Sequence, residues 1–409
     1  PNPLSSSSRG RYPSGQREQT VNLPAYVYEG SNPSRPTIVR FLRSLARGIE
    51  ETLTGWSSPA YALEAFVIAP FVRESRWRRA LRRAGRARRE RTWRRRAARG
   101  GTLWFGPFFG EVGYELTYWA PFVRGFARRI GLDPARVGVI SRGGVGSWYG
   151  PGVAYREIFD RVDAGGYRTL QDDTYPIGTR RVEREFVRGL GIPRRRIVHP
   201  KEMQLEIAPF RGGDEGLDAL RERMVYRALR RDELLADRDL AAAWAPIART
   251  LPDRYACVKV YGGGLMSRDE ALERVGTLVA SLSSSVAVVA LDIGVRVDGH
   301  ADRTATGSGI SRPLAGAPLR LNLGLQSLVV AGAACFVSSY GGISYLGPLL
   351  GVPTMVLADG AKAQKPAHML VEDHLAALGG SPYRRLDVST KGWDEALAAF
   401  VRHHAGGSA

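Results

Sequence analysis

Apolar residues along this chain fall into two rhythms. Short, mainly apolar runs at 102–108, 137–141, 197–199, 256–261, 286–291, 335–337 and 354–357 read as strands, as does 384–388. A strand covered on both faces needs no polar alternation. Between these runs the spacing turns helical. Over 114–129, Leu116, Trp119, Pro121, Phe122 and Phe126 fall on the inward side, and the segments 155–162, 182–190, 323–332, 366–378 and 391–403 read as further helices. Ser267-Arg268-Asp269-Glu270 is a capping box that opens another, running to about residue 282. Segment 201–237 reads as a crossover ending in helix, and 292–318 as a long polar loop. Strand and helix alternate, which predicts the α/β class with a mostly parallel sheet. Two such series, divided near residue 245, predict two Rossmann-like domains facing each other across a cleft, 101–245 and 246–390, with a closing helix and tail at 391–409.

The chain ahead of residue 101 has a different character. Residues 1–36 are rich in Ser, Pro and Gly without sustained periodicity and read as disordered. Residues 37–100 read as a basic, mostly helical extension, beginning with Ile38, Leu42, Leu45 and Ile49 at helical spacing. The apolar stretch 59–72 is too short to span a membrane and carries Glu64. In the arginine run that follows, Trp77, Leu81 and Ala84 share a face, while Trp93 falls nearly opposite. The run is therefore no clean amphipathic membrane helix unless it bends near Gly85.

Charge sharpens this division. Of the net +19 over 409 residues, 73–99 supply +12, from 14 arginines against Glu74 and Glu90. Residues 1–72 add +2 and 100–409 only +5, so the basic balance describes one segment and not the fold. Such a segment suits an anionic membrane surface or nucleic-acid phosphates. The two cysteines, Cys257 and Cys335, lie in separate predicted strands and read as buried thiols, which excludes a disulfide framework or a cysteine metal site. No secretory leader is visible, pointing to a cytoplasmic chain, peripheral on the inner membrane face through the arginine run. The start at Pro1 without methionine leaves a removed leader open.

Chemistry concentrates in 335–357, CFVSSYGGISYLGPLLGVPTMVL: strand, Ser/Gly turn, helix, and a second strand after Pro353. A glycine-rich turn between a buried strand and a helix offers backbone N–H groups to a phosphate or carboxylate. The longer stretch 322–357, with its Gln-Ser-Leu helix, alanine-rich turn and Gly-Val-Pro-Thr, resembles the donor-binding region of GT-B glycosyltransferases. Heptosyltransferase-like and fucosyltransferase-like enzymes share this outline. FGPFFGEVGYEL, at 105–116, resembles the first strand and glycine turn of their acceptor domain, and the two motifs cover about a fifth of the chain.

The resemblance implies sugar transfer from a nucleotide-sugar donor to a glycan or lipid-linked acceptor, with the nucleotide-sugar as co-substrate and with neither cofactor nor metal. Donor contacts would fall to Ser338, Ser339, Gly341, Gly342 and Ser344, or these small residues serve tight helix–sheet packing. Lys259, one of only five lysines, would neutralise the departing diphosphate or form a structural ion pair. Arg268 is a second such cation, or a solvated residue of a first helical turn. An inverting transfer needs a carboxylate base, for which Glu111 stands first and Glu115 second. Both could instead pair with arginines, and Glu111 could stabilise a helix end. The loop 141–150 offers Arg142, Trp148 and Tyr149 to an acceptor, or is plain loop. Asp292, Asp298, His300 and Asp302 read as solvated polar residues of a loop, with a metal or ribose site as the alternative; His199, His368 and His374 read as solvated or satisfied. Two competing functions remain: nucleic-acid binding through 73–99, and a fold of this type that binds ligand without catalysis.

Overall fold

The computed structural model of the chain describes residues 75–174, 181–262, 269–293, 301–302, 309–360 and 366–406. The expectations for 1–74, and those placed on Arg268, Asp298 and His300, lie outside the described residues.

Two parallel sheets organise the chain. Strands β1 (Leu103–Phe105), β2 (Val137–Ser141), β3 (Ala154–Glu157) and β4 (Ile197–Val198) form the first, in the order β3-β2-β1-β4. Next come β5 (Ala256–Lys259), β6 (Tyr261–Gly262), β7 (Val288–Ala290), β8 (Ala301–Asp302), β9 (Ile310–Ser311), β10 (Cys335–Ser339), β11 (Thr354–Ala358) and β12 (Tyr383–Asp387). Six of these build the second sheet, β12-β11-β10-β5-β7-β9, while β6 and β8 make a separate antiparallel pair. Strands β2, β10 and β11 are buried at every position, as their mainly apolar runs require. Cys257 and Cys335 are buried free thiols in neighbouring strands.

One expected helix is absent. Over 155–162 the chain forms β3 and a single 3-10 turn, Ile158–Asp160. Tyr155 and Arg156 pair with Val139 and Ile140 on the open edge of β2. That pairing, a tertiary contact, outweighs the local helical spacing.

The arginine run is a continuous helix, Ser75–Ala98, with no break at Gly85. Its Trp93 and Ala97 belong to the same core cluster as β1 and the helix Ala120–Arg129. Arg86, Arg89, Arg129 and Arg223 gather around the buried Glu206 at 3.0, 3.5, 3.8 and 3.1 Å. Glu202, Glu90 and Glu215 complete the group, pairing with Arg89, Arg129 and Arg223. Four arginines thus meet four glutamates. The limit drawn at residue 100 separates this helix from the body it packs against.

The loop after β2 is held as firmly. Gly143 and Gly144 adopt φ 78° and 75°, conformations that suit glycine, and Gly143 O accepts from Gly324 N at 2.8 Å. A Cβ on Gly143 would meet Leu323 at 2.9 Å. The loop is clamped to helix Asn322–Ala331, which leads into β10.

Candidate functional site

Ligands of parallel α/β sheets bind beyond the carboxyl ends of the strands, where the strand order reverses. The first sheet reverses between β1 and β4, the second between β5 and β10. The stretches singled out in the sequence lie there: Gly110–Gly113 beyond β1, Lys259 at the end of β5, and Ser338–Gly342 at the end of β10. Lys259 and Ser338 are register partners.

The two glycine turns touch. A Cβ on Gly342 would lie 2.7 Å from Gly113 N, and one on Gly113 would lie 2.9 Å from Gly342 Cα. Gly341 adopts φ 147° and ψ −168°, a region essentially closed to other residues. Packing therefore accounts for Gly342 and backbone conformation for Gly341. Both remain partly exposed.

The serines around them are turned inward. Ser338, Ser339 and Ser344 are fully buried. Ser338 Oγ donates to Ser339 O at 3.0 Å, and Ser344 Oγ to Gly341 O at 2.6 Å. A hydroxyl has one proton, so neither of these two has a donor left for a diphosphate. The donor contacts expected of Ser338 and Ser344 are thus corrected to backbone support of the turn. After it the chain forms a 3-10 segment, Gly342–Tyr345, and one α turn, Leu346–Leu349, shorter than the helix expected.

The two candidate bases separate. Glu111 is half-buried and extended (φ −66°, ψ 148°) at the start of the helix opening at Val112, and its side chain does not cap that helix. Glu115 is 0 % exposed, in a π-helical turn Glu115–Trp119. Its carboxylate accepts from Ser141 Oγ, Tyr149 OH and Arg142 Nη1, the last at 3.0 Å. Burial pushes its pKa up, opposed by the Arg142 charge and the hydroxyl donors. Arg142 continues to Gly110 O at 2.7 Å, beside Glu111. Glu115 is therefore an internal anchor, with no face toward a substrate.

Arg142, Trp148 and Tyr149 were expected at an acceptor, and burial corrects all three. Arg142 is 3 % exposed and Tyr149 is 2 % exposed; Trp148 is fully enclosed, donating from Nε1 to Ser327 Oγ at 3.2 Å. No ring face is open for a sugar to stack on. Lys259 is half-buried, and its Nζ donates to Leu291 O at 2.8 Å, so a carbonyl is one of its partners. Among the described residues no three His, Cys, Asp or Glu side chains converge as a metal cage would need.

Three polar centres have partners that the sequence did not signal. Glu372, fully buried, accepts from Tyr340, from Tyr345 at 3.1 Å, Tyr383 at 3.2 Å and Arg385 at 2.9 Å. Tyr340 lies in the turn itself, so each glycine turn rests on a buried glutamate. His199 Nδ1 accepts from Lys201 N at 3.1 Å, leaving the Nε2 proton to face Glu183 at 2.5 Å. This histidine is satisfied, as the default reading has it.

Glu157 is the third. It accepts from Gly144 N, Tyr155 OH and Phe159 N, each at 2.9 Å, and so braces the loop after β2. Burial raises its pKa from 4.5 to about 6, against the pull of the Phe159 and Gly144 amides. Between those values the folded chain binds more proton than the unfolded one. The stability from this group is full below the unfolded value and is lost as pH rises through about 6. At about 1.4 kcal/mol per unit the loss is about 2 kcal/mol. Urea unfolding of wild type and Glu157→Gln at acidic and neutral pH measures it. The wild type should lose that stability relative to the variant on going to neutral pH, and a pH-independent difference would refute the assignment.

No family profile and no curated protein matches the sequence. Among solved structures the fold is similar to that of E. coli ADP-heptose LPS heptosyltransferase II. The TM-score is 0.42 and the identity 13 %, with 75 % of this chain and 100 % of that chain covered. At this level of similarity the match assigns no activity, donor or acceptor.

Proposed function

We propose that this protein is a GT-B-type glycosyltransferase, moving a sugar from a nucleotide-sugar to a glycan or lipid-linked acceptor with inversion. The observation that carries this reading is the contact between Gly113 and Gly342. It joins two strand-end turns at the points where both sheets reverse order, the place where α/β folds hold ligands. One turn carries the carboxylate of Glu111, the other the partly exposed backbone of Gly341 and Gly342.

The roles then divide by chemistry. Backbone N–H groups near Gly341 and Gly342 would hold the donor diphosphate, since the neighbouring serine hydroxyls are engaged. Lys259, in register with Ser338, would meet the negative charge that builds on the leaving diphosphate. Glu111 would take the acceptor hydroxyl proton as the new glycosidic bond forms. Glu115 and Arg142 would hold the Gly110–Glu111 turn in place through Gly110 O.

The nucleic-acid reading would rest on the outward arginines of the run alone. Arg86 and Arg89 of the arginine helix pair with Glu202 and Glu206 of the body, so part of the run is internal structure.

Thermal unfolding of the full chain with UDP, GDP, ADP, CMP or dTDP tests the proposal. A nucleotide at about 100 times its dissociation constant should stabilise by about 2.7 kcal/mol. Selective stabilisation by one nucleotide supports the reading and names the donor class. Stabilisation by none of them would overturn it. A nucleotide shift without transfer to any acceptor would favour the non-catalytic alternative.

A further inference from the structure

We propose that the outward face of helix Ser75–Ala98 is a docking surface for an anionic lipid bilayer. At about 100° per residue, the exposed positions 83, 84, 87, 88, 91, 94, 95, 98 and 99 fall within one arc of about 160°. The buried Arg89, Trp93 and Ala97 occupy the opposite side. Within the exposed arc stand Arg83, Arg88, Arg91, Arg95 and the flanking Arg99, separated only by alanines and Arg94. No acid shares it. Glu90 is turned inward to Arg129 at 2.7 Å, and Arg94 leans away to Arg129 O at 2.9 Å.

This separation of charge has a physical cause. The inward arginines are neutralised by Glu202, Glu206 and Glu90, whereas no described acid pairs with Arg88, Arg91 or Arg95. The segment ahead of the helix carries eight arginines and six acids, so it brings no acidic excess to cover them. From residue 83 to 99 the stripe runs along about 24 Å.

The shape of the face selects the partner. The helix is embedded in the body over the rest of its circumference, so it cannot enter a duplex major groove about 12 Å wide. Single strands need aromatic platforms. Over 82–99 the one aromatic, Trp93, is turned inward beneath Arg96, whose guanidinium carbon lies 4.5 Å from its ring centre. A straight cationic stripe level with the body suits a flat anionic sheet. Over 83–99 its outer face holds arginine and alanine only, so this stretch would act by charge and not by insertion. No described helix is long and apolar enough to cross a membrane.

The inference stands apart from the proposed catalysis and is tested without an activity assay. The full chain is sedimented with vesicles of phosphatidylcholine alone, and with vesicles holding about 30 mol % phosphatidylglycerol, at about 50 and about 500 mM salt. Binding should appear only with the anionic vesicles and fade at the higher salt. Each arginine near the leaflet contributes about fivefold to partitioning, so the quadruple variant R83Q/R88Q/R91Q/R95Q should lose at least about 100-fold. Its melting temperature should stay near that of the wild type, because none of the four side chains is buried. Equal binding to neutral vesicles, or unaltered binding by the variant, would overturn the proposal. So would retention on a short RNA duplex with none on vesicles.

Discussion

Replacing Glu206 by alanine is expected to remove about 3–5 kcal/mol of stability, the loss typical of a buried charge group stripped of one partner. Around Glu206 stand Arg86, Arg89, Arg129 and Arg223, balanced by Glu90, Glu202 and Glu215 together with Glu206 itself. Glu206 is 1 % exposed and Arg89 2 % exposed, so water cannot take over the missing charge. One net positive charge would be left in a low-dielectric site. Glu206→Gln should lose less, because the amide oxygen still accepts hydrogen bonds. Two readouts check this. The urea midpoint should fall with an unchanged slope, and trypsin should cut the arginine helix far faster than in the wild type. A loss below about 1 kcal/mol would mean that the cluster behaves as a surface network.

The second large effect belongs to Glu111. With the donor class identified by thermal shift, Glu111→Gln should reduce turnover by about 10²–10⁴-fold, the usual contribution of a positioned base. Nucleotide stabilisation should persist, since Gly341, Gly342 and Lys259 are untouched. Glu115→Gln provides the contrast. Its carboxylate faces Ser141, Tyr149 and Arg142, so the variant should lose stability and should blunt turnover only through the displaced Gly110–Glu111 turn. Full turnover by Glu111→Gln, with donor binding intact, would remove Glu111 from the mechanism while leaving the fold as described.

The sequence by itself determined the α/β class and eight of the twelve described strands; β8 and β9 lie in the stretch 292–318 that reads as loop, and β6 was not separated from 256–261. Apolar runs such as 335–337 and 354–357 can be stable only when both faces are covered, and that requirement is local enough to read along the chain. It also marked the glycine turns, because a conformation such as that of Gly341 is closed to other residues. It misread 155–162, where pairing with the edge of β2 decides the outcome.

Partners distant in sequence were settled by the tertiary structure alone. Trp148 and Tyr149 look like ligand-facing aromatics until Ser327 and Glu115 are seen to hold them inside. Glu372 is an ordinary helical acid until Tyr340, Tyr345, Tyr383 and Arg385 close around it. The arginine run shows the difference most plainly. Its charge was legible from composition. Which arginines face inward depends on Glu202 and Glu206, both more than a hundred residues away, because a buried charge is tolerable only where the fold supplies its counter-charge.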